Sequence, residues 1–214
     1  EYTHVVGSPM AEVLCAYADS INNSTILEQL GLNAGNYILL SAHREENIDI
    51  ENNFISLMKA VNVMADTYNM PILYSCHPRS QKIIETRKFE FDRRVIKHPP
   101  LGFFDYNKLQ QNAFCVVSDS GTLPEESAYF RFPAVSIRTS TERPEAMEKG
   151  VFTVGSITAD QVLQAVDLAV TMQANGDCAA DVQAYIDTNV STKVVKIIQS
   201  YTSIVDRMVW RKNG

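Results

Sequence analysis

A chain of 214 residues, 45% of them apolar, is long enough to enclose a real core and fits one large domain or one domain with an appendage. Its net charge of −6 argues against nucleic acid as a partner, and no unbroken apolar run is long enough to cross a membrane. The four cysteines (Cys15, Cys76, Cys115, Cys178) form no CxxC pair and lie mostly in apolar segments, which points to buried, reduced thiols and a cytoplasmic setting.

The first residue is Glu1, not Met, and nothing at the start looks like a cleaved presequence, so the chain is expected to be part of a longer protein. Ser8-Pro9 opens a helix, with Ser as cap and Pro in the first turn. Val13, Leu14, Tyr17 and Ile21 supply its apolar stripe, and Asn22-Asn23-Ser24 ends it. Gly31 to Asn36 reads as loop. Tyr37 to Ala42 is a short continuous apolar strand of the kind buried on both faces. A helix over 51–68 carries Phe54, Leu57, Met58, Val61 and Met64 along one side. Then come a strand from Pro71 to Cys76, a helix over 79–88, a strand from Arg94 to Lys97 and a helix from Asp105 to Asn112.

The strand Phe114 to Val117 leads into Ser118-Asp119-Ser120-Gly121-Thr122-Leu123-Pro124-Glu125-Glu126, a small, hydroxyl-rich turn that opens a short helix before the strand Ala134 to Arg138. Exposed N–H groups and the helix dipole make such a turn a natural seat for phosphate. Thr139-Ser140-Thr141-Glu142-Arg143-Pro144-Glu145 offers a cation and more hydroxyls at the next strand end. Phe152 to Val154 is a last short strand. Beyond Thr158 the chain reads as helical over 158–173, about 178–188, and 191–211 behind Ser191 as a cap. The final helix is apolar on one side (Val194, Val195, Ile198, Tyr201, Val205, Met208, Val209) and basic at its end. A face packed against something beyond its own sheet is the reading adopted, over contact with a membrane.

Alternating strands and helices imply an α/β fold, a Rossmann-like doubly wound parallel sheet with right-handed crossovers. Residues 1–190 form that domain, and 191–214 form a C-terminal helix directed at a segment outside it. In such sheets ligands sit at the carboxyl ends of the strands. There this chain gathers His43-Arg44-Glu45-Glu46-Asn47, His77-Pro78-Arg79, His98-Pro99-Pro100, the Ser118–Gly121 turn and Arg138 to Arg143. A lone histidine there is an ordinary surface or capping residue; three on one rim with three arginines suggest a site for a phosphorylated ligand.

No HxH, HExxH or Cys/His spacing supports a metal, and the absence of GxGxxG argues against a dinucleotide; no cofactor is expected. Ser120 lies in Asp-Ser-Gly and not in a Gly-x-Ser-x-Gly elbow, which weakens a Ser-His-Asp hydrolase. What remains is an anionic nucleotide, with arginine and helix N-termini on phosphate and a carboxylate on the ribose. Glu126, a turn beyond the phosphate loop, is placed for that carboxylate role and equally for that of an ordinary carboxylate at a helix N-terminus.

Ser41-Ala42-His43-Arg44-Glu45-Glu46-Asn47, the Asp119-Ser120-Gly121 turn followed by Glu125-Glu126, and Thr141-Glu142-Arg143-Pro144-Glu145 together resemble, in order and separation, the non-hydrolysing UDP-N-acetylglucosamine 2-epimerases. The resemblance runs from about Val6 to the end and covers the second half of such an enzyme. It implies the nucleotide-binding, C-terminal domain of a glycosyltransferase-B-type fold, with the active site in a cleft against a missing N-terminal domain. By the same carry-over Ser120 and Gly121 bind the diphosphate, Glu126 holds the ribose, Arg143 pairs with the diphosphate, Arg44 joins the UDP site, Tyr106 aligns near an aromatic that contacts uracil, and His43 is the candidate catalytic residue beside phosphates and sugar. UDP or a UDP-N-acetyl sugar is the implied ligand and a homodimer an implied assembly.

The family turn is Asp-Ser-Gly-Gly-x-Gln-Glu-Glu; here Thr122 replaces the second glycine, Pro124 the glutamine, and Arg131 a glycine before the next strand. These departures resemble the branch that acts on UDP-2-acetamido-2,6-dideoxy-L-talose to make UDP-N-acetyl-L-fucosamine for capsule or O-antigen. The family inverts C2 by eliminating UDP to a glycal and adding it back, with acid and base carboxylates mainly from the first domain, so this chain alone is expected to bind weakly and not to epimerise. A glycosyltransferase-B donor domain is the alternative, although Ala134 stands eight residues after Glu126 where a Glu-x7-Glu motif needs its second glutamate. A non-catalytic nucleotide-sugar module is the other.

Overall fold

A computed structural model describes residues 3–138, 143–177 and 179–212. The expected Cys178 and the Thr139–Glu142 part of the last motif lie outside the described residues. Six parallel strands, β1 (Ile38–Ser41), β2 (Ile72–Ser75), β3 (Val95–His98), β4 (Cys115–Ser118), β5 (Ala134–Ser136) and β6 (Thr153–Val154), form one sheet in the order β3-β2-β1-β4-β5-β6. The chain first winds outward from β1 to β3, then returns to lay β4 on the other side of β1. That reversal is a topological switch point, and the crevice beyond the strand ends there is where such sheets hold ligands.

The alternation of side chains along each strand divides the core in two. Ile38, Leu40, Ile72, Tyr74, Cys115, Val117 and Val135 face one layer; Tyr37, Leu39, Leu73, Val116 and Ala134 face the other. Both layers are apolar because helices cover both faces. The helices, in chain order, are α1 (Met10–Ala16), α2 (Ala18–Asn22), α3 (Ile26–Leu30), α4 (Glu45–Ile48), α5 (Glu51–Tyr68), α6 (Pro78–Arg87), α7 (Phe103–Asn112), α8 (Leu123–Phe130), α9 (Pro144–Met147), α10 (Ala159–Asn175), α11 (Gln183–Ile186) and α12 (Val190–Met208). α5 and α10 pack in the first layer through Phe54, Leu57, Val61, Val162 and Val166; α7 and α8 pack in the second through Leu109, Leu123 and Ala128.

The long periodic elements follow the sequence reading, and the departures have local causes. The first helix breaks at Tyr17 (φ −108°, ψ 14°) into α1 and α2, and the segments 26–30, 45–48 and 144–147, to which the sequence reading assigned no element, form short helices. The helix expected over 178–188 shrinks to Gln183–Ile186. Ser191 does not cap α12: its hydroxyl bonds to Glu12 instead, and the cap position falls to Asn189. Cys76 and Cys115 are buried as expected, whereas Cys15 is exposed on α1. Arg131 takes the left-handed backbone (φ +62°) that ends α8, which accounts for a glycine being usual there. Its guanidinium reaches the Ala179 carbonyl at 2.6 Å and also bonds to Asp181. Only Val190 of α12 is buried; Val195, Ile198 and Met208 are well exposed.

Candidate functional site

At the switch point one carboxylate organises everything around it. Asp119, just past β4, is fully buried. Its Oδ2 accepts from the backbone N–H of His43 (2.9 Å), the N–H of Arg44 (2.9 Å) and Nδ2 of Asn47 (3.0 Å), and its Oδ1 lies 3.1 Å from His43 Nδ1. A buried charge is tolerable only when so compensated. The hydrogen bonds run from the β4 end to the β1 loop, and Asn47 continues to the Ile137 carbonyl beyond β5 at 2.9 Å. Asp119 therefore does from a neighbouring strand what a cap residue does locally: it satisfies N–H groups at the start of α4, which has no side-chain cap of its own. Asp119 and Asn47 were assigned no role from sequence; the signal available was the acid in Asp-Ser-Gly together with the amide four residues after His43.

Because an ionised carboxylate can only accept, the Nδ1 of His43 carries the proton towards Asp119, and Nε2 is left as the working nitrogen. The imidazole is half exposed on the rim. The other two rim histidines are occupied locally: His77 Nδ1 accepts from the Arg79 N–H at the start of α6, and His98 Nδ1 lies 2.6 Å from the Pro99 carbonyl. Arg79 itself bridges Glu45 and Asp49, tying α6 to α4.

Arg44 lies over the turn. Its Nε donates to the Asp119 carbonyl at 2.9 Å, and its guanidinium would meet a Cβ on Gly121 at 3.7 Å. Gly121 does not need its lack of a side chain for a left-handed backbone, since its φ is outside that region, and a Cβ there would make only ordinary contact. Thr122, in place of the usual second glycine, is right-handed (φ −89°, ψ −12°), so the fold accepts a side chain there. Pro124 occupies the first turn of α8 and removes one N–H from that terminus.

Behind the turn lies a polar row, partly buried at Ser120 and Thr122 and buried at Glu126 and Gln110. The Thr122 hydroxyl donates to Glu126 Oε1 (3.0 Å), Gln110 Nε2 donates to Glu126 Oε2 (2.6 Å), and the Ser120 hydroxyl is 3.0 Å from that of Thr122. Burial pushes the Glu126 carboxyl above the ordinary carboxylate range, against the pull of Gln110 and Thr122, with the Glu125 charge adding to the rise. Tyr106 is partly buried in the same place, its ring on the second core layer. Desolvation raises its hydroxyl as well, so it stays protonated.

Arg143 stands at the position just before α9 and pairs with buried Glu125 at 3.0 Å, with Glu145 at 3.9 Å and its guanidinium 5.9 Å from the Tyr185 ring. His43, Arg44, Ser120, Gly121, Tyr106 and Glu126 thus converge on the switch point, while Arg143 stands behind Glu125 on the side of α9. The arrangement does not assemble a serine hydrolase: the Ser120 hydroxyl is engaged with Thr122, and the His43 imidazole with Asp119. Among the described residues no group of three or more His, Cys, Asp or Glu side chains could hold a metal ion, and no helix is long and apolar enough to cross a membrane.

Comparison with known proteins gives the same frame. The sequence pattern of the UDP-N-acetylglucosamine 2-epimerase family matches residues 1–199. The structure of a UDP-N-acetylglucosamine 2-epimerase from Rickettsia bellii is similar over 97% of this chain and 56% of its own, at 37% identity and a TM-score of 0.88. A Methanocaldococcus jannaschii enzyme solved in complex with UDP-GlcNAc and UDP shares the fold over 92% of this chain and 54% of its own, with 21% identity and a TM-score of 0.81. The UDP-2,3-diacetamido-2,3-dideoxy-D-glucuronate 2-epimerase of Pseudomonas aeruginosa is 28% identical over 150 residues, 69% of this chain and 42% of that protein. The chain spans about half the length of the relatives it matches.

Proposed function

The chain belongs to the UDP-N-acetylglucosamine 2-epimerase family, and from that premise we propose that it is the UDP-holding half of a nucleotide-sugar 2-epimerase, an isomerase that inverts C2 of a UDP-N-acetylhexosamine. The observation that carries the reading is the convergence of the β1 and β4 loops on Asp119, which aims one histidine and one arginine across a phosphate-sized turn at the switch point. A UDP-GlcNAc and UDP complex of a relative with the same fold supports the choice of ligand.

The reaction follows from the acidity problem. A C2 proton beside no carbonyl is not acidic, so exchange needs the C1–O bond to break as the C2–H bond breaks. UDP leaves with the bonding pair, a glycal remains, and re-addition of UDP to C1 with a proton delivered to the opposite face of C2 inverts that centre. In this chain the diphosphate rests on the Ser120-Gly121 turn, Arg44 crosses it, and Arg143 swings from Glu125 to add charge as UDP departs. His43, fixed through Nδ1, presents Nε2 to the phosphates and sugar. Glu126 receives the ribose hydroxyls and Tyr106 backs the nucleoside. The acid and base that flank C2 come from the segment outside this chain, and the exposed apolar face of α12 (Val195, Ile198, Met208) packs on that segment. Closure of the two halves traps the glycal.

The substitutions Thr122, Pro124 and Arg131 favour a UDP-2-acetamido-2,6-dideoxy-L-talose substrate, hence supply of a cytoplasmic precursor for capsule or O-antigen, over UDP-GlcNAc. The test is incubation of each UDP-sugar in deuterated water. The complete protein incorporates deuterium at C2 and yields the epimer from the true substrate; the isolated chain does neither. Epimerisation by the isolated chain overturns the division of labour, and binding without turnover by the complete protein favours a non-catalytic module.

A further inference from the structure

The hydroxyls behind the turn obey a proton count. Thr122 has one hydroxyl proton, and it is donated to Glu126 Oε1 at 3.0 Å. The contact of 3.0 Å between the Ser120 and Thr122 hydroxyls then has only one possible donor, Ser120. Ser120 Oγ in turn accepts from the Thr122 N–H at 3.4 Å. The far oxygen of Glu126 is held by Gln110 at 2.6 Å, so the near oxygen is the one open to exchange. The row therefore has a direction, Ser120 to Thr122 to Glu126, and its outer end is the residue expected to meet phosphate.

We propose that Thr122 is a positioning residue that couples the two halves of UDP recognition: it keeps the Ser120 hydroxyl proton turned inward until a ribose hydroxyl takes over the near oxygen of Glu126. When the ribose donates to Glu126, Thr122 is released to donate to Ser120, and Ser120 rotates its proton outward to a phosphate oxygen. No proton changes owner; three hydroxyls rotate. The diphosphate is then gripped fully only with a nucleoside in place, which discriminates against inorganic pyrophosphate and free sugar phosphates. A glycine at this position would leave Ser120 and Glu126 uncoupled. The inference rests on the UDP reading of the site.

Two measurements separate it from that reading. The first needs no ligand: the Glu126 carboxyl is titrated by carbon-detected NMR in the native chain, Thr122→Val and Thr122→Ser. The ionisable and charged groups that act on it or on its neighbours are Tyr106 on α7, Glu125 on its own helix, Arg143 paired with Glu125, and Asp119, whose charge acts on Tyr106. Loss of the donor in Thr122→Val moves the Glu126 midpoint upward, and Thr122→Ser restores it; an unchanged midpoint in Thr122→Val overturns the proposal. The second compares Ser120→Ala in the native and Thr122→Val backgrounds by calorimetry. In the native background the alanine weakens UDP about tenfold and pyrophosphate less than about twofold; in Thr122→Val the two losses become equal. Equal losses in the native background overturn the coupling. Failure of the native chain to bind UDP refutes the proposed function instead, and the carboxyl titration then decides the role of Thr122 by itself.

Discussion

The switch-point rim and the C-terminal helix answer the same question in opposite ways. At the rim the buried carboxylate of Asp119 finds its partners inside the chain, held with no exposure by four donor contacts from two elements. Along α12 the apolar residues expected to be covered are open: Val195 is 58% exposed, Ile198 56% and Met208 66%. That helix is tied near its start by Ser191 to Glu12 and by Lys193 to Asp187 and the Val6 carbonyl, and farther along by an edge-on contact between His4 and Tyr201. The difference teaches where the chain is self-sufficient: the Asp119 cluster is held by contacts within the chain, whereas the far helix has a face whose burial the described residues do not provide.

The comparison breaks if the cradle proves soft or the helix proves indispensable to the folded chain. Asp119→Ala leaves two backbone N–H groups, an amide and an imidazole without their acceptor, and costs about 3 kcal/mol or more in a urea titration. A loss below about 1 kcal/mol would mean that the cluster is not the organiser. Next in size is Glu126→Gln, which weakens UDP about tenfold and yet raises Tm by a few degrees at neutral pH. The sign follows from burial. The folded Glu126 carboxyl sits above its unfolded value, so its contribution to stability is full below the ordinary carboxylate range and is lost as pH rises through the folded value. Glutamine escapes that loss, and in acid the variant and native chains converge. Smaller again, Arg131→Gly is more stable than Arg131→Ala by about 1 kcal/mol, because the φ of +62° burdens any side chain while both variants lose the Ala179 and Asp181 contacts. Smallest is Ile198→Lys on α12, which changes the stability of this chain by less than about 0.5 kcal/mol, read by thermal denaturation, since the side chain is already in water.

What sequence could reveal followed the same division. The helix read over 51–68 has those bounds in the structure, because five apolar residues at helical spacing decide it locally. The rim residues were visible because a parallel sheet sends every strand end to one side. Asp119 and Asn47 were not, since their partners lie on other strands: the acceptor that completes the start of α4 is 75 positions away from Arg44. α4 itself, four residues long, carries no periodicity to read. Ser191 looked like a cap by composition, but Glu12, 179 positions earlier, takes its hydroxyl. The Thr122 coupling needed both distances and directions, and Asp-Ser-Gly-Thr states neither.

The most direct test of the account is calorimetric titration of this chain with UDP beside Arg44→Ala and Arg143→Ala. The account predicts saturable one-to-one binding by the native chain, weakened about tenfold in Arg44→Ala and in Arg143→Ala. Native binding that neither variant disturbs would contradict it, because UDP would then be held somewhere other than the turn that these two cations are proposed to serve.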